Sequence, residues 1–109
     1  MSKDNWQVFQ LSQLLDQVKP GEVMFDEFLH TPSLSCSVYH VPAGSKEMQR
    51  AHVEDELYYV LKGAGMLRIE GDEHIVQSGT LLYVRADCDH TFFEVTEDLT
   101  VLAFFGSAR

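Results

Sequence analysis

From Gly21 onward the chain is cut into short segments, each closed by a turn signal before a helix of ordinary length could form. Leu34 to Val41 alternates and is broken by Pro42-Ala43-Gly44. Leu57 to Leu61 is a dense Leu-Tyr-Tyr-Val-Leu run, followed by Lys62-Gly63-Ala64-Gly65, which reads as a turn. Met66 to Glu70 returns, and Gly71-Asp72 is a hairpin signal. His74 to Gln77, Leu81 to Val84, Thr91 to Val95 and Leu99 to Phe105 complete the set, with Ser78-Gly79 as a further turn. Glu22 to Leu29 is a mixed apolar and acidic run ahead of them, and Arg50 to Asp55 reads as a strand end or loop. Many short strands at close spacing predict an all-β sandwich or barrel. One short helix precedes them: Leu11, Leu14, Leu15 and Val18 recur at helical spacing, Ser12 is placed to cap it, and Pro20-Gly21 stops it.

The bulk properties narrow the function classes. The 109 residues correspond to one domain, 1–109, with no linker, repeat or low-complexity tract. Hydrophobic content of 45% argues against disorder. No apolar run approaches the roughly 20 residues that a membrane helix needs. The polar start Met1-Ser2-Lys3-Asp4-Asn5 lacks an apolar signal region, so the expected location is cytoplasmic. A net charge of −9 repels phosphate backbones and anionic membranes, so neither nucleic acid nor a membrane surface is an expected partner. Cys36 and Cys88 form no CxxC pair and read as reduced, buried thiols.

The chemistry concentrates in two segments. In the first, Arg50 and His52 precede Glu56 and Tyr58; in the second, His90 is followed by Phe92 and Glu94. Inward positions on a strand recur every second residue, so His52, Glu56 and His90 can converge inside one barrel from separate strand segments. Two imidazoles and one carboxylate bind first-row divalent metals and leave coordination positions open, as in non-haem Fe(II) oxygenases. Arg50 has two readings: an inward guanidinium for a substrate carboxylate or phosphate, or a solvated side chain paired with Glu54 or Asp55. Glu94 is a ligand, a carboxylate behind the ligands, or an exposed residue. Tyr58 reads as a pocket wall, and Tyr59 faces the other way. His30, His40 and His74 read as surface or packing residues.

These segments resemble the paired motifs of the cupin superfamily. Gly44, His52, Glu56 and Gly63 fall on its first motif, and Gly79 and His90 on its second, in the right order. The resemblance covers about Ser37 to Phe105 and is nearest to small bacterial single-domain cupins. Arg50 stands where cupins usually have their first metal-binding His, Gln77 where Pro is usual, and Glu94 where Asn is frequent. The resemblance implies a jelly-roll barrel (double-stranded β-helix) and a divalent metal ion, Fe, Mn, Ni, Cu or Zn, on His52, Glu56 and His90. It further implies an oxygenase- or isomerase-type enzyme for a small, anionic metabolite, with Arg50, Tyr58 and Glu94 as catalytic candidates. The alternative is a non-catalytic small-molecule binding or sensing barrel. A homodimer is also implied, with residues 6 to 29 exchanged or packed across its interface.

Overall fold

Period-two alternation of apolar residues buries one face of each strand, and a single antiparallel sheet collects those faces. The computed structural model describes residues 5–45 and 54–106 in full, and residues 48–50 as strand backbone. Residues 1–4, 46–47, 51–53 and 107–109 lie outside the described residues. In chain order the elements are α1 (Leu11–Leu15), β1 (Met24–His30), β2 (Leu34–Val41), β3 (Met48–Arg50), β4 (Glu56–Ile69), β5 (Asp72–Gln77), β6 (Leu81–Val84) and β7 (His90–Gly106). The strands pair in the order β1-β2-β7-β4-β5, with β3 on β7 and β6 on β4. Among the described residues no helix is long and apolar enough to cross a membrane.

Two strands are longer than their sequence suggests. The turn expected at Lys62 to Gly65 does not form, and β4 runs straight through it. The glycines instead serve irregularities in the pairing of β4 with β7, which shift between Val60 and Lys62, Lys62 and Ala64, and Ala64 and Met66. Gly63 adopts φ 100, and a Cβ there would overlap the carbonyl of Asp98 and lie 2.8 Å from Leu99 Cα. Only glycine tolerates both the dihedral and the approach. Likewise Thr91 to Val95 and Leu99 to Phe105 are not two strands but parts of β7. The turn between β4 and β5 lies one residue earlier than Gly71-Asp72. Ile69 pairs with Asp72, and Glu70 and Gly71 carry φ 49 and φ 89, the mark of a type I′ hairpin.

The length of β7 makes the sheet curl. Its first stretch pairs His90 with both Arg50 of β3 and Ile69 of β4. Its second pairs Val101 with Tyr39 of β2 and with Val60 of β4. The enclosed core holds Tyr39, Tyr58, Val60, Leu67, Phe92 and Val101, all buried. Its aromatic rings meet at angles: Tyr58 and Phe92 have centroids 5.4 Å apart and Tyr39 and Phe92 6.0 Å. The short helix forms but starts earlier and ends sooner than expected, at Leu15, so Val18 lies beyond it and Pro20-Gly21 is not its stop. Gln10 is its N-cap, with Gln13 N and Leu14 N donating to the Gln10 carbonyl, so Ser12 lies inside the helix and is not its cap. Cys36 and Cys88 are both free thiols, Cys36 buried and Cys88 half-buried.

Candidate metal centre in the barrel core

Glu56 opens β4 and Tyr58 follows two residues later, so both point to the same face. His90 opens β7. All three are buried, Glu56 at 2%, Tyr58 at 1% and His90 at 3% exposure. Their polar atoms converge on one nitrogen. His90 Nε2 lies 3.0 Å from Glu56 Oε1 and 3.1 Å from the Tyr58 hydroxyl. The other ring nitrogen is fixed by the backbone: Nδ1 lies 3.0 Å from the Cys88 carbonyl. A carbonyl only accepts, so Nδ1 carries a proton and donates it there. Nε2 is thereby turned toward the carboxylate and the phenol. An imidazole whose far nitrogen is tied to a backbone carbonyl is the arrangement that orients histidine as a metal ligand.

A carboxylate buried at this depth needs a counter-charge or a proton. His90 Nε2, 3.0 Å from Glu56 Oε1, is one group placed to meet that need. The donors fit a divalent metal. Nitrogen and carboxylate oxygen are the donors borderline first-row metals take. Among the described residues no group of three or more His, Cys, Asp and Glu is assembled. His52 lies outside the described residues.

The remaining candidates are placed as follows. Arg50 pairs in register with His90 between β3 and β7, and its side chain is outside the description. Glu94 does not share the inward face of His90 and Phe92. It is exposed, with φ 46, and Val95 is buried in its stead. Glu94 takes its positive φ within the pairing irregularity opposite Ala64 and Met66, and the alternation inverts there, so Val95, Leu99, Val101, Ala103 and Phe105 face inward. Tyr59 stays half-exposed on the outer face, as expected of the residue beside Tyr58. His30 and His74 are exposed. His40 is not at the surface: it is 3% exposed on the outer side of β2, and its place depends on the N-terminal segment folding over that side. The Cys88 carbonyl also escaped sequence reasoning, because no side-chain pattern marks a backbone acceptor.

A family model described as the cupin domain matches residues 37–105. The chain belongs to the cupin family. An uncharacterized protein of Streptomyces coelicolor is 30% identical to this cupin over 97 residues, covering 89% of this chain and 92% of that protein. Among solved structures, a Ralstonia eutropha protein provisionally named a mannose-6-phosphate isomerase superposes with TM-score 0.73. It has 24% identity over 87% of this chain and 95% of that one. An RmlC-like cupin with a double-stranded β-helix fold from Methanocaldococcus jannaschii gives TM-score 0.75 at 13% identity, over 96% and 94% of the two chains. These structural likenesses establish the fold, an antiparallel jelly-roll barrel. Cupins commonly bind metals, and the barrel is compatible with a small-molecule ligand.

Proposed function

We propose that this cupin is a metal-dependent enzyme of isomerase or oxygenase type, acting on a small, anionic metabolite. The observation that carries the reading is the convergence of Glu56 Oε1 and the Tyr58 hydroxyl on His90 Nε2, deep in an apolar core. His90 and Glu56 would hold a divalent ion, Fe, Mn, Ni, Cu or Zn, and His52 would complete the set. When bound, the metal supplies a Lewis acid for a substrate oxygen. The protein supplies the rest. The Cys88 carbonyl keeps Nδ1 protonated and so keeps Nε2 available as a donor. Tyr58 holds a proton on its hydroxyl beside that nitrogen, in reach of whatever occupies the site. Phe92, packed on Tyr58 with ring centroids 5.4 Å apart, gives the site apolar surface that keeps water from its charges. Arg50, in register with His90, is the candidate anchor for an anionic substrate group. Glu94 is the weakest of the catalytic candidates, since the bulge leaves it exposed.

Elemental analysis of tag-free protein, after anaerobic reconstitution with each metal in turn, tests this. Near-stoichiometric metal in the parent protein, lost in His52→Ala and in His90→Gln with the fold retained, supports the site. A metal-free parent, or metal retained by both variants, refutes it. Ligand-dependent thermal shifts without turnover would point instead to a binding or sensing barrel.

The same reading includes a homodimer. Leu57 and Tyr59 on β4 pair in register with Tyr83 and Leu81 on β6, and all four side chains are exposed. A contiguous apolar sheet face of this kind suits a second copy of the chain. Sedimentation of the parent as a monomer at micromolar concentration would remove this element.

A further inference from the structure

The loop between β6 and β7 carries the Cys88 carbonyl that fixes the His90 imidazole, and its own residues do not favour its shape. Cys88 N donates to the Arg85 carbonyl at 3.1 Å, closing a turn with Ala86 and Asp87 at its middle. Asp87 adopts φ 68, a left-handed conformation that glycine takes freely and a side chain takes under strain. From the end of this turn the Cys88 carbonyl stands 3.0 Å from His90 Nδ1. The far end of the loop is held from β4: Glu70 N donates to the Asp89 carbonyl at 3.0 Å.

The near end is held by Asp55. Ala86 N, inside the strained turn, donates to Asp55 Oδ1 at 2.8 Å. A short bond to an ionised acceptor belongs to the stronger class of hydrogen bonds. The Tyr83 hydroxyl donates to the same carboxylate from β6, and desolvation, the Asp55 charge and that bond together hold the phenol above its usual range. Asp55 is itself anchored, because Gly106 N at the end of β7 donates to its backbone carbonyl at 3.0 Å. In the chain it directly precedes Glu56, the carboxylate that faces His90 Nε2. Asp55 is exposed and Glu56 buried, so the Asp55 carboxylate acts from outside the core. One residue thus ties the strand that carries Glu56 to the turn that orients His90.

We propose that Asp55 is a positioning residue for His90: through Ala86 N it holds the turn whose Cys88 carbonyl orients the imidazole toward Glu56. Why the aim of Nε2 matters rests on the proposed metal role; the hydrogen bonds that set it do not. Without the carboxylate, Ala86 N turns to water, and the strained conformation at Asp87 loses the bond that opposes its relaxation. The Cys88 carbonyl then has no single place, His90 Nδ1 loses its acceptor, and Nε2 loses its aim. Asp98 supplies the comparison, as a second carboxylate that holds backbone amides. Ala43 N donates to its Oδ1 at 2.8 Å and Gly21 N to its Oδ2 at 3.3 Å. The Ala43 bond foremost keeps its carboxyl below the usual range. Those bonds tie down the segments at Gly21 and Ala43 and leave the β6–β7 loop alone.

The test is solvent exchange of the His90 Nδ1 proton, followed by NMR in the metal-free full chain with isotopically labelled histidine, with His90→Gln to assign the signal. The Val60 amide, which donates to the Thr80 carbonyl at 2.9 Å, serves as the reference for stability as a whole. In Asp55→Ala the ratio of the ring-proton rate to the Val60 rate should rise about tenfold, the size of one lost charge-assisted bond. Asp55→Asn, which keeps an acceptor for Ala86 N, should bring the ratio back to within about threefold of the parent. Asp98→Ala, which lowers stability elsewhere, should leave the ratio at its parent value. Asp55→Leu, of similar shape but without acceptors, gives the same reading where Asp55→Ala does not fold. An unchanged ratio without the Asp55 carboxylate, an equal rise in Asp98→Ala, or an Asp55→Asn protein no different from Asp55→Ala would each overturn the proposal. Zinc affinity, by competition with a chromophoric chelator, reads the consequence: it should fall about tenfold in Asp55→Ala, and equal affinities would count against the role as well. A parent that takes up no metal refutes the metal reading alone, and the proton ratio still decides what Asp55 does.

Discussion

Replacing Gly63 by alanine tests how closely β4 approaches the Asp98 bend, and Gly71→Ala supplies the comparison. Both glycines occupy the left-handed half of backbone space, Gly63 at φ 100 and Gly71 at φ 89. An L-residue held there costs about 1–3 kcal/mol, offset by about 0.5–1 kcal/mol because alanine loses less chain entropy on folding. Gly71 has nothing within 4 Å of an added Cβ, so that net of about 0–2.5 kcal/mol is its whole effect. At Gly63 the same Cβ would overlap the Asp98 carbonyl and stand 2.8 Å from Leu99 Cα. Both obstacles are backbone, so the strand pair itself must part, which adds about 1–3 kcal/mol on the scale of overpacking. The expected loss is then about 1–5 kcal/mol for Gly63→Ala, in every case larger than for Gly71→Ala. Urea unfolding followed by far-UV circular dichroism measures both variants against the parent. The midpoint should fall clearly further for Gly63→Ala with the slope unchanged. Equal losses for the two variants, within about 0.5 kcal/mol, would refute the close approach and leave only the dihedral argument.

Three further outcomes are expected. Tyr58→Phe removes the hydroxyl beside His90 Nε2 while keeping the ring packed on Phe92, so it should lower stability by only about 0.5–1.5 kcal/mol in urea melts. A much larger loss would mean that the hydroxyl organises the core. Asp98 has a folded pKa below its unfolded value of about 3.9, so its contribution is complete above that pH and disappears as pH falls through the folded pKa. Asp98→Asn should accordingly destabilise the protein at neutral pH and flatten the acid limb of its stability profile, whereas an unchanged acid limb would refute the link. Burial raises the Cys36 thiol above its ordinary range, and Cys88 is half-buried. A thiol-specific reagent should therefore label Cys88 first in the native protein and both cysteines together in urea, as peptide mapping would show.

The strand content and the family were determined by the sequence alone, because both rest on local patterns. Alternation forms strands, Gly and Pro close them, and the spacing of Gly44, Glu56, Gly63, Gly79 and His90 marks the cupin domain. The pairing of Glu56 with Tyr58 on one face also follows from a period of two. Tertiary structure decided what the period could not carry. The glycines at 63 and 65 read as a turn in isolation, but β7 lies alongside and offers backbone partners through that stretch, so the strand continues with bulges. The bulge around Glu94 inverts the alternation, which removes this carboxylate from the face that His90 occupies. His40 looked like any lone histidine until the N-terminal segment covered the outer side of β2 and Asp98 arrived from a distant bend. The Cys88 carbonyl that sets the His90 tautomer has no side-chain signature at all. Local alternation survives only while register is kept, and register is set by the neighbouring strand, not by the strand's own residues.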